Sequence, residues 1–297
     1  MTDPAQPDAA DTPFVALRPR LFSIAYRMLG TRADAEDVLQ DAWLRWHRAD
    51  RDALQSAEAW LVTVVTRLAI DRLRAAQAER EAYVGYWLPE PLVDELDERT
   101  PEAAVELAGE LSIALLRVLE RLAPEERAAF LLRQVFDRDY DEIAAALGKS
   151  EAACRQLVHR ASERVQAERP RFEVAPEAHH RLIERFVQAA QGGVREAMVA
   201  MLADEAQLIG DGGGKVPSFG HPLEGPDRIA NLYWANWKHL GSQLSYRLAR
   251  INGETGVLRY VNGVIESAQA FVTDGERIVA VYAIRNPDKL AHIEAMQ

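Results

Sequence analysis

Apolar residues recur at steps of three and four from Phe14 to Gly30, from Thr31 to Arg48 and from Ala59 to Glu81, which predicts three amphipathic helices. The first ends on a glycine, free to adopt positive φ. The second carries Trp43 and Trp46, and the third sets Trp60, Leu61, Val64, Leu68 and Leu73 on or near one side. Residues 47–57 between them lose the period and read as a loop. A second helical block runs from about Glu110 to Arg169, with Pro124 at a helix start. Inside it, Asp139 to Val165 reads as two helices around a tight turn. Ile143, Ala144 and Leu147 make the inner stripe of the first, Gly148 supplies the turn, and Ser150 is placed to N-cap the second. Cys154, Leu157, Val158, Ala161 and Val165 then face inward. Glu151, Ala152, Arg155, Gln156 and His159 face outward, a row with the length and donors to read a major groove. The same pattern also fits an ordinary helical bundle.

From Ala178 the pattern changes. Helical stretches at 178–190 and 193–203 precede an apolar segment that runs into Asp211-Gly212-Gly213-Gly214-Lys215, then a Pro/Gly-rich loop and a short helix near 227–237. Gln243–Ile251, Gly256–Val261, Val264–Thr273 and Arg277–Arg285 alternate as strands do, separated by Asn252-Gly253, Asn262-Gly263 and Asp274-Gly275. This predicts an α+β domain with a curved antiparallel sheet. Between the helical blocks, residues 86–110 hold three prolines, eight acids and one base, Arg99, which reads as a linker.

A chain of 297 residues has room for two or three domains. Its net charge of −11 argues against coating DNA unaided, because non-specific affinity comes from cations that neutralise phosphates. The single cysteine, Cys154, reads as packing rather than as a redox sensor. The N-terminus is acidic and Pro-rich without the basic and apolar regions of a signal peptide, and no apolar run reaches membrane-spanning length. A cytoplasmic location and no membrane partner are expected. No catalytic pair, cofactor motif or metal site is read from the residues.

Three segments carry a family resemblance. Asp34 to Arg45 (DAEDVLQDAWLR), Trp60 to Arg74 (WLVTVVTRLAIDRLR) and Tyr140 to Arg160 (YDEIAAALGKSEAACRQLVHR) resemble, in order and spacing, the working helices of the extracytoplasmic-function sigma factors. In that family the first docks on the clamp helices of RNA polymerase, the second supports −10 recognition and melting, and the third reads the −35 element. WLPEP (Trp87 to Pro91), DGGGK and NPDKL (Asn286 to Leu290) resemble segments of the sigma-J-type subgroup, in which a SnoaL-like, NTF2-like domain is fused to the sigma core.

The resemblance implies a multidomain chain of two all-α sigma domains, a region 2 bundle and a region 4 helix-turn-helix, followed by an α+β NTF2-like cone. The expected boundaries are a flexible N-terminus over 1–13, region 2 over 14–85, a linker over 86–109, region 4 over 110–170 and the regulatory domain over 171–297. Asp34, Glu36, Asp37, Gln40 and Asp41 form an acidic face at helical spacing, which the resemblance assigns to polymerase docking. Arg67, Arg72 and Arg74 are assigned to −10 DNA, the loop 47–57 to a flipped −10 base, and Lys149, Ser150, Arg155, Gln156 and His159 to −35 DNA. The partners are therefore core RNA polymerase, through clamp helices and flap, and promoter DNA.

The DGGGK segment lacks the continuation of a phosphate loop, since Lys215 is followed by Val216 and Pro217. It is read instead as an interdomain latch in which Asp211 and Lys215 offer one charge of each sign to a neighbouring sigma domain or linker, with a plain loop as the alternative. Tyr233, Trp234, Trp237 and His221 are candidates to line a cone pocket for a small-molecule ligand. Ligand sensing or catalysis there is the alternative to a purely structural regulatory role, and an NTF2-like enzyme tethered to a helix-turn-helix regulator is the alternative for the whole chain.

Overall fold

The computed structural model describes residues 12–94, 111–168 and 174–294, which divide into two compact units. The first unit holds residues 12–77 and 119–167; the second holds 78–94, 111–118, 168 and 174–294. No helix among the described residues is long and apolar enough to cross a membrane.

In the first unit, α1 (Thr12–Leu29), α2 (Arg32–Arg48) and the first twenty-one residues of α3 (Ala57–Glu81) bury matching stripes. Leu21, Ile24 and Met28 of α1 face Ala35, Val38, Leu39 and Trp46 of α2, and Leu61, Val65 and Ala69 of α3 complete the core. Thr31 caps α2, its Oγ1 accepting from the Asp34 N–H at 3.3 Å. Because α1 begins at Thr12, residues 12 and 13 are helical rather than part of the expected flexible N-terminus; the rest of that stretch lies outside the described residues. Beyond α4 (Ile113–Leu119), whose residues up to 118 belong to the second unit, the first unit continues in α5 (Pro124–Gln134), α6 (Tyr140–Leu147) and α7 (Glu151–Glu168). Gly148 ends α6 at φ 64°, as the turn requires, and Ser150 Oγ accepts from Ala153 N at 3.3 Å to cap α7. The inner stripe of α7 is buried as expected. In α6 Ile143 and Ala146 are the buried pair, while Ala144 is half-buried and Leu147, in the last turn beside Gly148, also stays half-buried. Arg127 of α5 is 2% exposed and donates to Met28 O of α1 at 2.6 Å and to Glu120 at 2.7 Å, fixing the two helical blocks to each other.

The second unit is built on a seven-stranded sheet of order β1-β4-β5-β6-β7-β2-β3, from β1 (Val93–Asp94), β2 (Leu202–Asp211), β3 (Leu223–Glu224), β4 (Leu244–Ile251), β5 (Glu254–Val261), β6 (Val264–Thr273) and β7 (Ile278–Ile284). The β4–β7 meander turns on Asn252-Gly253 and Asn262-Gly263 with all four φ positive, the geometry two-residue hairpins need. The expected antiparallel sheet is in fact mixed, because β2 runs parallel to β7. A parallel neighbour needs a long crossover, and more than sixty residues separate the two strands, enough to carry β2 to the far side of the meander. Register shifts within β2, β5 and β6 bend the sheet.

Both faces of this sheet are buried. On one, α8 (Pro176–Gln191), α9 (Arg195–Met201) and α10 (Pro226–Leu240) pack Ile183, Phe186 and Ile229 on Leu208, Val257, Phe271 and Val281. The alternate residues Ile209, Leu258 and Tyr282 face the other way, against Leu88, Val93, Ile113 and the Leu290 and Ile293 of α11 (Pro287–Glu294). Leu88 and Val93 belong to the stretch read as a linker. Among its described residues that stretch is packed instead: residues 88–91 are buried, Val93 pairs with Ile251 as an added edge strand, and Asn252 exchanges hydrogen bonds of 2.8 and 2.9 Å with Leu92. The sheet's second face would otherwise expose apolar alternate residues, and these side chains complete the cover begun by Ile113 and α11. Residues 95–109 of the expected linker lie outside the described residues.

Candidate functional sites

On α2 the five acidic-face residues separate into two groups. Asp34 is held in place, its Oδ2 accepting from the Thr31 hydroxyl at 2.6 Å and its Oδ1 from Arg72 Nε at 2.8 Å, and Glu36 pairs with Arg18 at 2.5 Å. Asp37, Gln40 and Asp41 remain exposed at helical spacing, and the next position on that face is Leu44, 41% exposed. An exposed leucine ringed by acids and amide, out of phase with the buried Val38, Leu39, Ala42 and Trp46, suits a partner with basic and apolar groups. Leu44 was not singled out from the sequence, although its phase against that stripe is the signal that marks it.

The three α3 arginines assigned to −10 DNA, Arg67, Arg72 and Arg74, are exposed and each engaged within the first unit. Arg67 donates from Nε to Ala146 O at 2.8 Å and from Nη2 to Ala145 O at 2.6 Å, satisfying carbonyls that α6 leaves open at its C-terminal turn. Arg72 pairs with Asp34, and Arg74 with Glu125 at 2.8 Å. Lys149, in the turn of the helix-turn-helix, reaches the same Glu125 at 3.0 Å. Arg155 pairs with Glu151 at 2.7 Å and lies 4.8 Å over the Tyr140 ring, while Gln156 and His159 are exposed on the same outward row. Exposed pairs of this kind are worth at most about 1 kcal/mol, so a phosphate can displace them. Of the loop 47–57, residues 51–53 form a short 3-10 turn with Arg51 lying 4.9 Å over Trp46.

The DGGGK segment sits in the second unit, where β2 ends. Asp211 is fully buried, and its carboxylate gathers four donors: the Tyr83 hydroxyl at 2.6 Å, Gly213 N–H at 3.1 Å, Leu88 N–H at 2.9 Å and Lys289 Nζ at 2.7 Å. Lys289 also donates to Leu88 O at 2.5 Å, and Asn286 Nδ2 to the Tyr83 hydroxyl at 2.9 Å. The Trp87 ring takes two cations, Arg80 at 4.3 Å and Lys289 at 4.2 Å from its centroid. Burial, and after it the Asp211 hydrogen bond, pushes the Tyr83 phenol well above its ordinary range, so it stays a neutral donor. The glycines are needed for close approach: a Cβ on Gly213, at φ 60°, would lie 2.4 Å from Asn286 Nδ2, and one on Gly212 would lie 2.3 Å from Val216 O. Asp211 therefore does meet the 83–88 segment. Lys215 does not; it pairs with Asp288 of the same domain at 2.6 Å on the surface, because the turn that brings Asp211 inward leaves Lys215 outside. Tyr83 is the participant that sequence reasoning missed, since a lone tyrosine past a helix end carries no pattern.

Of the four residues proposed to line a cone pocket, Tyr233 alone does so. The cavity of about 320 Å³ lies between α10 and the strands, with Arg259, Glu266, Gln269 and Arg285 supplying its polar wall. Trp234 packs on the core beneath Lys238, and Trp237 and His221 are exposed, because they fall on other sides of α10 or before it.

Residues 14–79 match Sigma-70 region 2 and residues 112–165 match Sigma-70, region 4. The chain is 40% identical to the ECF RNA polymerase sigma factor SigJ of Mycobacterium tuberculosis, over 93% of this chain and 91% of that one. It is 29% identical over 98% of both chains to the probable ECF RNA polymerase sigma factor SigI of the same species. The crystal structure of M. tuberculosis SigJ superposes with a TM-score of 0.77 at 36% identity, covering 94% of this chain and 98% of that one. With a likeness of this degree running through both helical blocks and the sheet domain, the chain belongs to the ECF RNA polymerase sigma factors.

Proposed function

We propose that the chain joins core RNA polymerase through Asp37, Gln40, Asp41 and Leu44, with Asp34 and Glu36 orienting that helix. Arg67, Arg72 and Arg74 then engage −10 DNA, and Lys149, Ser150, Arg155, Gln156 and His159 engage −35 DNA. In the free chain Arg72, Arg74, Lys149 and Arg155 are each paired with an acid and Arg67 with the Ala145 and Ala146 carbonyls, and Glu125 holds one residue from each set. Promoter binding thus exchanges intramolecular partners for phosphates, which a chain of net charge −11 does on polymerase rather than alone. Regions 2 and 4 correspond to 14–85 and 110–170 in this reading, and 171–297 acts as a regulatory domain in cis.

The cis regulation rests on one observation: the buried Asp211 carboxylate takes two of its four hydrogen bonds from Tyr83 and Leu88, in the stretch that directly follows α3. A change in the C-terminal domain that moves Asp211 releases the chain between the promoter-reading regions. Reconstituted transcription tests both parts. Core polymerase with this chain should initiate from promoters recovered by selection, and Asp211→Ala should change their output while leaving core binding intact. Failure to initiate from any selected promoter, with and without residues 171–297, refutes the assignment of the promoter-reading surfaces; unchanged output in Asp211→Ala refutes the latch alone.

A further inference from the structure

The cavity beneath α10 has a charge that its own walls leave unbalanced. Glu266 stands between two arginines: its Oε2 accepts from Arg259 Nε at 2.7 Å and its Oε1 from Arg285 Nε at 2.6 Å. Burial alone would push the Glu266 carboxyl up, but the two guanidinium groups outweigh it and hold the carboxyl below its ordinary range. Two cations and one anion leave a net single positive charge, and no other acid lines the cavity. The Arg259 side chain is 10% exposed, its Nε and Nη2 both go to Glu266, and the buried Tyr246 stands against the same guanidinium, so the cluster is held in place from several sides. Burial keeps the Tyr233 phenol neutral, and its hydroxyl donates to Gln269 Oε1 at 2.8 Å, so the polar wall is positioned before anything binds. The remaining wall is mostly apolar, from Leu208, Phe219, Leu232, Leu240 and Val261, with Ser218 and Asn236 as its other polar side chains. A volume of about 320 Å³ is at the small end of ligand sites.

We propose that this cavity binds a small carboxylate with an apolar body, its carboxylate on the Arg259–Glu266–Arg285 cluster and its body among the leucines. A cation is repelled by the net charge, and a neutral ligand leaves that charge uncompensated in a largely apolar wall. Arg285 is also where occupancy reaches the DGGGK loop, because its N–H donates to Asp211 O at 2.7 Å and its Nη1 holds Pro217 O. Binding itself does not depend on the latch.

The test titrates the full-length chain with benzoate and octanoate and with their amides, benzamide and octanamide, by calorimetry. At least one carboxylate should saturate at one site per chain, and its amide should bind weaker by a factor of about ten at least, the loss of one charge-assisted contact. The same carboxylate should raise the melting temperature of the unmodified protein by mass action, and its amide should not. Asn236→Trp, on the cavity wall, should abolish binding while the chain still melts cooperatively. No saturable carboxylate binding, equal binding of acid and amide, or undiminished binding to folded Asn236→Trp would each overturn the proposal.

Discussion

Asp211→Asn removes one charge from a pair that is almost wholly out of water: the Asp211 side chain is 0% exposed and that of Lys289 8%. The substitution keeps the volume, and the remaining carbonyl oxygen can still accept from Tyr83 and Gly213. The new amide group, however, sets N–H against the Leu88 N–H and the Lys289 ammonium, donor facing donor, at positions now 2.9 and 2.7 Å from Oδ2. Leaving a buried charge without its partner costs about 3–5 kcal/mol. Hydrogen-exchange protection of residues 83–94 isolates this segment from melting elsewhere, and the loss should appear there as about two orders of magnitude or more, at about 1.4 kcal/mol per tenfold. Lys289→Met added to Asp211→Asn removes the ammonium that faced the lost carboxylate while keeping the stem against Trp87, so the double variant should lose less than the sum of the single losses. A single-variant loss under about 1 kcal/mol, or strict additivity in the double, would show that the pair does not hold the segment.

Gly213→Ala should loosen the same segment by about 1–3 kcal/mol, read as faster proteolysis at 83–94, because it adds strain at φ 60° to a Cβ 2.4 Å from Asn286. Asp41→Arg, on an exposed position, should leave the melting temperature unchanged and slow association with core polymerase by about tenfold at low salt in stopped-flow mixing, a difference that shrinks as salt rises. Arg155→Ala should relax selectivity at one −35 position by about 1–3 kcal/mol in a promoter-variant competition. Burial holds the His179 imidazole below its ordinary range, a hydrogen bond to the Thr255 carbonyl offsetting part of the effect. The unfolded chain then binds the proton first, so stability is complete above about pH 6.5 and is lost as pH falls through the folded value; urea midpoints at pH 7.5 and 5.5 should differ, and His179→Gln should narrow that difference.

Legibility followed the range of the interaction. Thr31, Gly148 and Ser150 act within four residues of themselves, as does the turn geometry at Asn252-Gly253 and Asn262-Gly263, and each does what its type and position predict. The outward row of α7 and the exposed Asp37, Gln40 and Asp41 were likewise readable, since helical phase alone decides which way they point. The partners of the cations were not readable. Arg67 looks like a surface charge, and the carbonyls it meets at Ala145 and Ala146 are nearly eighty positions away.

The apolar period and the turn residues by themselves determined the helices and the hairpin meander, and the resemblance of the ordered motifs implied the family, because all of these are written locally along the chain. Tertiary structure alone decided that β2 lies parallel to β7, that Leu88 and Val93 help cover the sheet's second face, and that Asp211 meets Tyr83 while Lys215 turns away. A Pro-rich, acidic stretch with a few apolar residues has no period to reveal a buried face. Its packing depends on a sheet that forms more than a hundred residues later and needs a cover, and only the folded chain brings the two together.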